Sequence, residues 1–332
     1  MRPFAYINAG SSRDAIRAAS GGLPATQFLA GGTTLIDLMK LDVMQPARVV
    51  DINSLASEFS RIDSNAEGLR LGALARMGEA AEHPAILQEY PVIAQSLNLA
   101  ASQQVRNMAT LGGNVLQRTR CSYFRDTSYS ACNKRNPGSG CAALGGITRK
   151  LAVLGVSEHC IAHYPGDFAQ ALVALGARVD IMGPDGSRRI PFEDLHRLPG
   201  QTPHIETSLN PGELITGFVV PAGPWTRRSL YLKIRDRESY EFALASSAVA
   251  LDLTDGVVRE ARVALGGVAT KPWRARAAEE ALKGRALDET TAHAAAELAF
   301  VDAETRGDNL FKPELGRRTL VRALLQAKAM EI

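Results

Sequence analysis

QFLAGGTTLIDLMKL, residues 27–41, is the stretch that decides the fold of this chain. Its first four residues form a short apolar run that predicts a β-strand. Its last seven place apolar side chains three and four positions apart, which predicts a helix. A further strand is predicted at residues 47–52, and a helix that Ser11 or Ser12 can cap is predicted before residue 20. The first fifty residues therefore predict a small β-α-β unit.

Gly31 and Gly32 separate the predicted strand from the predicted helix. Such a turn leaves backbone N–H groups free at a helix N-terminus, where the helix dipole favours a phosphate group. Thr33 and Thr34 add hydroxyl donors at the same place. A tight turn followed by a threonine cap explains the same residues without a ligand, and both interpretations stay open here. The segment matches neither the G-x-G-x-x-G nor the Walker pattern, so a Rossmann or kinase-type site is not supported.

A second α/β block follows, and it carries a second glycine-rich turn. A strand is predicted at residues 69–74, and the mostly helical residues 77–101 are interrupted near Pro84 and Pro91. The turn ATLGGN, residues 109–114, comes next. Two-glycine turns thus occur twice, each at the predicted start of a helix or loop.

The rest of the chain predicts more strands and then helices. LAVLGVS, residues 151–157, predicts a buried strand, and Asp167 is placed to cap the helix that follows. From Leu209 onward several apolar runs follow one another, two of them joined by a hairpin turn at Asp255 and Gly256. After about residue 274 the chain is rich in Ala, Leu and Glu, which predicts helices. This part is typical of an α+β domain.

All four cysteines fall between residues 121 and 160, with gaps of ten, eight and eighteen residues: Cys121, Cys132, Cys141 and Cys160. The segment between them is polar and glycine-rich, which predicts a loop wrapped around something. Four thiolates suit an iron–sulfur cubane or a structural zinc ion. The absence of a C-x-x-C pair makes a zinc ribbon less favoured. Two disulfides, or four inert thiols, remain alternatives.

Length and composition exclude several classes of function. The 332 residues, 45% of them apolar, are enough for two or three domains. A formal net charge of +3 without a long basic run argues against a nucleic-acid partner. No apolar stretch approaches the roughly 18 residues that span a membrane. The N-terminal residues lack an apolar signal-peptide core, so we expect a cytoplasmic protein unless a signal-bearing partner exports it to the periplasm.

Six motifs occur in one order: LAGGTTL, ATLGGN, PGDFAQAL, GELITGFVVP, KIRDRESYEFALASSAVAL and VALGGVATKPWR. The series resembles the FAD-binding subunits of the molybdenum hydroxylases, which include xanthine dehydrogenase and carbon monoxide dehydrogenase. The resemblance runs from about Phe4 to the C-terminal helices. It implies an α+β fold: a PCMH-type FAD-binding fold of two α/β subdomains, residues 1–60 and 61–224, followed by an antiparallel sheet with helices of the CO dehydrogenase flavoprotein C-terminal type, residues 225–332.

Most members of that family lack the four-cysteine segment, here an insertion at about residues 117–162. With it, the chain most resembles the FAD and 4Fe–4S subunits of bacterial periplasmic aldehyde oxidoreductases. The residues that carry this closer match are LQRTRCSYF, CNKRNPGSGCAALGG, VSEHCIAHYPGDFA and TPHIETSLNPGELI. The flavin subunit of 4-hydroxybenzoyl-CoA reductase also carries an extra 4Fe–4S cluster and is the nearest alternative.

The resemblance implies roles for particular residues. The backbone of one run would hold the FAD pyrophosphate: Gln27, Phe28, Leu29, Ala30, Gly31, Gly32, Thr33, Thr34 and Leu35. The second wall of the cofactor cleft would be formed by Thr110, Gly113 and Asn114. Asp167 would bond the ribityl or ribose hydroxyls, Ile215 would pack on the isoalloxazine, and Lys233 would lie near its polar edge. The 4Fe–4S cluster would be bound by Cys121, Cys132, Cys141 and Cys160.

The function that follows is electron transfer within a heterotrimeric aldehyde oxidoreductase. A large partner subunit would carry the molybdenum cofactor, and a small one would carry 2Fe–2S centres that pass electrons to the FAD. Nothing in the sequence shows a nicotinamide pocket, so oxygen or a redox carrier is the expected acceptor. In the cysteine segment, cations outnumber the one acid, Asp126, which predicts positive charge beside the cluster: Arg118, Arg120, Lys134 and Arg135. A metal-bearing assembly module without flavin remains an alternative from another class.

Overall fold

The computed structural model describes residues 1–20 and 25–332, and it contains the β-α-β unit predicted at the N-terminus. Three short parallel strands form one sheet in the order β1-β3-β2. Ser11 caps the first helix, because its Oγ accepts a hydrogen bond of 3.1 Å from the backbone N–H of Asp14. The elements of this unit are β1 (Ala5–Asn8), α1 (Ser12–Ser20), β2 (Thr26–Leu29), α2 (Leu35–Lys40), β3 (Arg48–Asp51) and α3 (Ala56–Phe59).

A five-stranded antiparallel sheet forms the second unit, in the order β4-β5-β8-β6-β7. Its central strand β8 arrives from far along the chain, so the residues between β5 and β6 form a long excursion that carries the cysteine segment. The strands are β4 (Ile62–Asn65), β5 (Gly68–Gly72), β6 (Arg178–Gly183), β7 (Gly186–Pro191) and β8 (Leu214–Pro221).

Short helices cover this second sheet. As predicted, the helical stretch is broken at Pro84 and Pro91, and each proline begins the next helix, where its missing N–H costs no hydrogen bond. Every residue of α10 is buried, and Phe168 packs edge-on against Phe218 of β8. The helices are α4 (Met77–Glu82), α5 (Pro84–Glu89), α6 (Pro91–Asn98), α7 (Gln103–Met108), α8 (Leu111–Val115), α9 (Ser122–Arg125) and α10 (Phe168–Ala174).

The C-terminal unit is an antiparallel sheet, ordered β12-β11-β10-β9, with three helices. The predicted hairpin turn is confirmed, since Asp255 and Gly256 both adopt positive φ. Side chains alternate along β10: Val249 and Leu251 face the terminal helices, whereas Ala248 and Ala250 join the core of the second unit. The elements are β9 (Ser229–Ile234), β10 (Ala245–Thr254), β11 (Val257–Gly266), β12 (Trp273–Arg274), α11 (Arg276–Leu282), α12 (Glu289–Ala299) and α13 (Lys312–Lys328).

The prediction of a strand at residues 151–157 is wrong. The segment is apolar and largely buried, but it makes only two isolated bridges, from Leu154 to Ala269 and from Ser157 to Cys160. The N–H groups of Val153 and Leu154 both donate to one carbonyl, that of Val268, and Gly155 turns the chain with a φ of 63°. An apolar run indicates burial, and only the hydrogen-bonding partners decide whether it becomes a strand. Among the helices of residues 1–20 and 25–332, none is long and apolar enough to cross a membrane.

His196 is a buried imidazole that supports the second glycine-rich turn. Its ring packs edge-on against Tyr164, with centroids 4.7 Å apart, and its Nε2 lies 2.9 Å from the carbonyl oxygen of Val115 at the end of α8. Burial lowers the pKa of His196 from 6.5 to about 4. The imidazole is therefore neutral in the folded protein at neutral pH.

We expect His196 to make the folded state sensitive to mild acid. Between the unfolded pKa of 6.5 and the folded pKa of about 4, the unfolded chain binds more protons at this imidazole than the folded chain does. The contribution of His196 to stability is therefore complete above pH 6.5. That contribution falls by as much as about 3 kcal/mol as the pH approaches 4. His196→Gln, which can still donate to Val115, should flatten the pH dependence of the free energy of unfolding, measured by urea titration. The exposed His204→Gln is the control, and an unchanged slope in H196Q would contradict the prediction.

Candidate functional site

A cleft opens between the turn after β2 and the turn that begins α8. About 980 Å³ of space lies between its walls, part of it open to solvent. Most of the residues predicted for the pyrophosphate site line it: Gln27, Phe28, Ala30, Gly31, Gly32, Thr33, Thr34 and Leu35. The opposite wall includes Thr110, Gly113 and Ile215. The structure therefore brings together residues that lie far apart in the sequence.

The two glycine-rich turns touch each other directly. A Cβ on Gly31 would lie 2.0 Å from the carbonyl oxygen of Met108 and 3.0 Å from the Cα of Ala109, so only glycine fits there. On the other turn, the Thr110 Oγ1 accepts a 3.2 Å hydrogen bond from the N–H of Gly113 and caps α8. Thr34 stands at the capping position of α2, but its side chain makes no capping bond. The threonine-cap interpretation is therefore wrong for Thr34.

Unused polar groups in and beside this cleft suit a dinucleotide. None of the backbone N–H groups of residues 31–35 donates a hydrogen bond to the backbone of the described residues. Free N–H groups in a glycine turn before a helix are the donors that a pyrophosphate requires. The buried Oδ1 of Asn114 has no hydrogen-bond partner within residues 1–20 and 25–332, while its Nδ2 lies 3.3 Å from the Met77 sulfur. These groups fit an FAD molecule.

Several predicted contacts differ from the observed lining. Leu29 and Asn114 are not among the residues that line the cleft. The cleft also contains residues for which no contact with the flavin was predicted: Met44, Ile52, Ala73, Leu74, Leu116, Arg118, Glu213 and Leu214. Some lining residues belong to motifs quoted above: Gly112 to ATLGGN, Glu213 and Leu214 to GELITGFVVP, and Leu116 and Arg118 to LQRTRCSYF. A motif does not tell which of its side chains face the cleft.

Asp167 and Lys233 form a buried ion pair away from the lining of the cleft. The Nζ of Lys233 lies 2.8 Å from Oδ2 of Asp167, and their side chains are 1% and 4% exposed. Tyr231 donates to the other carboxylate oxygen at 2.6 Å, and Lys233 also donates to the carbonyl of Leu99. The Asp167 side chain makes no capping bond to α10. Burial, followed by the charge of Asp167, raises the pKa of Tyr231. The contacts of Asp167 and Lys233 with a flavin stay predictions.

The four cysteines line a single cavity beside the cleft: Cys121, Cys132, Cys141 and Cys160. None of them is in a disulfide. Cys132 and Cys141 face each other across an isolated antiparallel bridge. The cavity is otherwise lined mainly by aromatic and small side chains, among them Tyr123, Phe124 and Ala143. Cysteines that lie far apart in the sequence are therefore neighbours in the folded chain.

Burial dominates the chemistry of these thiols. Loss of solvation raises the pKa of Cys121 to about 12 and that of Cys160 to about 11. A metal centre that binds here must therefore displace thiol protons. Within the part of the chain that the structure describes, no three His, Cys, Asp or Glu side chains are grouped as ligands of one metal ion. Tetrahedral zinc holds its thiolates about 3.8 Å apart, so this geometry does not favour zinc.

The positive charge predicted around the cysteines is compensated from outside the segment. Asp37 of α2 pairs with Arg120 at 3.4 Å and with Arg125 at 2.9 Å. Glu206 pairs in the same way with Arg118 and Lys134. Arg135 instead donates to backbone carbonyls within its own segment. The predicted positive charge is therefore compensated in part by two acids from outside the segment, which a count of the acids within it left out.

The fold and the cleft are those of a dinucleotide-binding α+β protein, and comparison with known proteins agrees. Residues 2–223 match the FAD binding domain in molybdopterin dehydrogenase, and residues 230–329 match the CO dehydrogenase flavoprotein C-terminal domain. The chain is 44% identical over 330 residues to the aldehyde oxidoreductase FAD-binding subunit PaoB of Escherichia coli (strain K12), covering 99% of both chains.

Two further relatives are more distant. The glyceraldehyde dehydrogenase medium chain of Sulfolobus acidocaldarius is 27% identical over 286 residues, 86% of this chain and 83% of that one. The structure of carbon monoxide dehydrogenase from Hydrogenophaga pseudoflava has a TM-score of 0.76 at 27% identity, with 99% of both chains covered. This chain belongs to the family of FAD-binding subunits of the molybdenum hydroxylases. It is therefore a flavoprotein subunit of an oxidoreductase.

We expect Gly31→Ala to disrupt the contact between the two turns. The added methyl group collides with backbone atoms that cannot rotate away, so the variant should lose roughly 1–3 kcal/mol of stability and most of its FAD. Thermal unfolding and flavin content per chain measure both effects. Gly10→Ala is the matched control, since its new Cβ would have no neighbour closer than 3.9 Å. Normal flavin content in the Gly31 variant would show that the turns do not need this contact.

Proposed function

We propose that this chain is the FAD- and 4Fe–4S-binding electron-transfer subunit of a heterotrimeric, molybdenum-containing aldehyde oxidoreductase. The observation that carries the proposal is the pairing of a cleft with free backbone N–H groups and a cavity lined by four free thiols. The high identity to an aldehyde oxidoreductase subunit supports aldehydes as the substrate class of the whole complex. The three units are residues 1–60, 61–224 and 225–332, with the insertion at about 117–162.

The cleft residues bind and orient the flavin in this proposal. The free N–H groups of residues 31–35 hold the pyrophosphate, and Thr110 and Gly113 form the facing wall, with Asn114 next to Gly113 in the chain but outside the lining. Ile215, which is 4% exposed, offers an apolar surface to the ring system and keeps water from one of its faces. When bound, FAD supplies the chemistry that accepts electrons and passes them on. The protein holds the FAD in place and leaves one edge of its ring system accessible.

The donor set of the second cavity fits a 4Fe–4S cubane better than a single ion. A cubane takes one thiolate on each of its four irons, so its ligands stand further apart than those around one zinc ion. Four free thiols that line one cavity supply the number and kind of ligand that a cubane requires. Cys121, Cys132, Cys141 and Cys160 would supply the four ligands, and the cubane would supply one-electron chemistry.

The partners and the location follow from the same proposal. A large subunit would hold the molybdenum cofactor at which an aldehyde is oxidised, and a small subunit would hold 2Fe–2S centres. The relatives described as medium chains support a place between larger and smaller subunits. The terminal acceptor would be oxygen or a redox carrier. The complex would be periplasmic if a signal-bearing partner exports it.

The decisive measurement is iron, acid-labile sulfide and flavin per chain in the anaerobically purified complex. We expect about four irons and as many sulfides in the wild type. Cys132→Ser removes one ligand and should lose most of the iron and sulfide while keeping its FAD, because Cys132 does not line the flavin cleft. Thr127→Ser, an exposed change in the same segment, controls for handling losses.

Two outcomes would contradict the assignment. A wild-type complex with flavin but without iron and sulfide would rule out the cluster. A Cys132→Ser variant that still holds about four irons per chain would show that the ligand set is wrong. Zinc in place of iron would support a structural metal site and leave the flavin assignment intact.

A further inference from the structure

One carboxylate contacts a wall of both sites. The two oxygens of Glu206 accept from the Arg118 guanidinium, Oε2 from Nε at 3.2 Å and Oε1 from Nη2 at 3.0 Å. The Nζ of Lys134 lies 2.9 Å from the same Oε1. Arg118 lines the flavin cleft, whereas Lys134 lines the cysteine cavity. Glu206 thus stands between the two sites, with a cation on each side.

Arg118 also forms part of the partition between the sites. Its guanidinium lies over the ring of Phe124, with the Cζ 4.5 Å from the ring centroid, and Phe124 lines the cysteine cavity. Only 22% of the Arg118 side chain is exposed. A stack of one guanidinium and one aromatic ring therefore lies between the cleft and the cavity.

Glu206 is itself held firmly. Its backbone carbonyl accepts from the N–H of Arg197 at 2.9 Å, and the next residue bridges to His196. Lys134 is fixed from a second direction, because its Nζ also donates to the carbonyl of Pro203 at 3.0 Å. Burial alone would raise the pKa of Glu206, but the charges of Arg118 and Lys134 outweigh it and lower that pKa. The carboxylate is therefore ionised at neutral pH.

We propose that Glu206 is a positioning residue that fixes Arg118 at the flavin cleft and Lys134 at the cysteine cavity, so that one carboxylate sets the local charge at both cofactors. The inference rests on the proposed function, since it assumes that both sites are filled. Without Glu206 the two cations lose their shared partner, and mutual repulsion drives them apart. A bidentate guanidinium–carboxylate pair also fixes the orientation of Arg118, which a single point contact cannot do.

The test is Glu206→Gln in the holo complex, because the amide keeps the size of the side chain and removes its charge. We expect the dissociation constant of FAD to rise about tenfold, as for the loss of a charge-assisted hydrogen bond. The reduction potential of the cluster should become more positive, since an anion near it is removed. Flavin titration gives the first quantity, and a potentiometric titration followed by electron paramagnetic resonance gives the second.

Glu193→Gln is the matched control. Glu193 also pairs with an arginine, since both of its oxygens accept from Nη2 of Arg276, and it lies outside the lining of both sites. It should leave FAD affinity and cluster potential as in the wild type. Two further variants test the two contacts of Glu206 separately. Arg118→Gln should weaken FAD binding, and Lys134→Gln should make the reduction potential of the cluster more negative.

A double variant tests whether Glu206 affects FAD binding through Arg118. In an Arg118→Gln background, adding Glu206→Gln should change FAD affinity little, because the group that Glu206 positions is already gone. Full additivity of the two changes would overturn the proposal. So would a Glu206→Gln complex that keeps wild-type FAD affinity and wild-type cluster potential. If Glu206→Gln does not fold, Arg118→Gln and Lys134→Gln provide the test. Wild-type FAD affinity in the first together with a wild-type cluster potential in the second overturns the proposal.

Failure of the proposed function would be recognised separately. In that case the wild-type complex itself contains no iron and sulfide, whatever residue stands at position 206. A loaded wild type with an unresponsive Glu206→Gln variant would leave the proposed function intact and remove only this inference.

Discussion

Direct backbone contact between two glycine-rich turns is the constraint on which the rest of the structure depends. Gly31 lies against the carbonyl of Met108, at a separation that leaves no room for a Cβ. That contact brings the small parallel sheet against the helices of the second unit, and the cleft is the space left beside it. The position of α2 follows, and with it the position of Asp37, which holds Arg120 and Arg125 of the cysteine segment. One missing side chain thus sets the geometry of both sites.

The cysteine segment builds most of its own small core, and partners outside the segment fasten that core to the rest of the fold. Leu38 of α2 joins the small core around the cysteines. At the far end, Thr148 binds residues just ahead of α13, and Lys312 donates to the carbonyls of Leu151 and Gly267. Burial lowers the pKa of Lys312 to about 7. A lysine buried at such a cost serves to fasten the chain that returns from the segment to the C-terminal sheet.

The sequence predicted what depends on local pattern. Periodicity and glycine spacing located the β-α-β unit, the proline breaks and the Asp255–Gly256 hairpin, and the repeated two-glycine turn indicated the cleft. It could not predict pairs formed by folding alone. Glu206 lies far along the chain from Lys134, and no spacing rule connects them. The buried run at residues 151–157 failed for a related reason, since its apolar letters fit any buried segment and its hydrogen-bond partners come from residue 268.

The cleft and the cysteine cavity offer different kinds of binding group, so substitutions of side chains would affect them differently. The cleft offers backbone N–H groups, which substitution of side chains scarcely alters, so its capacity to donate hydrogen bonds to an anion depends on the fold and not on particular side chains. The cysteine cavity depends on side chains supplied by a loop, and those are easily lost or gained. The cations of the cysteine segment do need charge balance, and Asp37 and Glu206 supply part of it from outside the segment. A change at either carboxylate would therefore reach both the cysteine segment and the elements that hold the cleft.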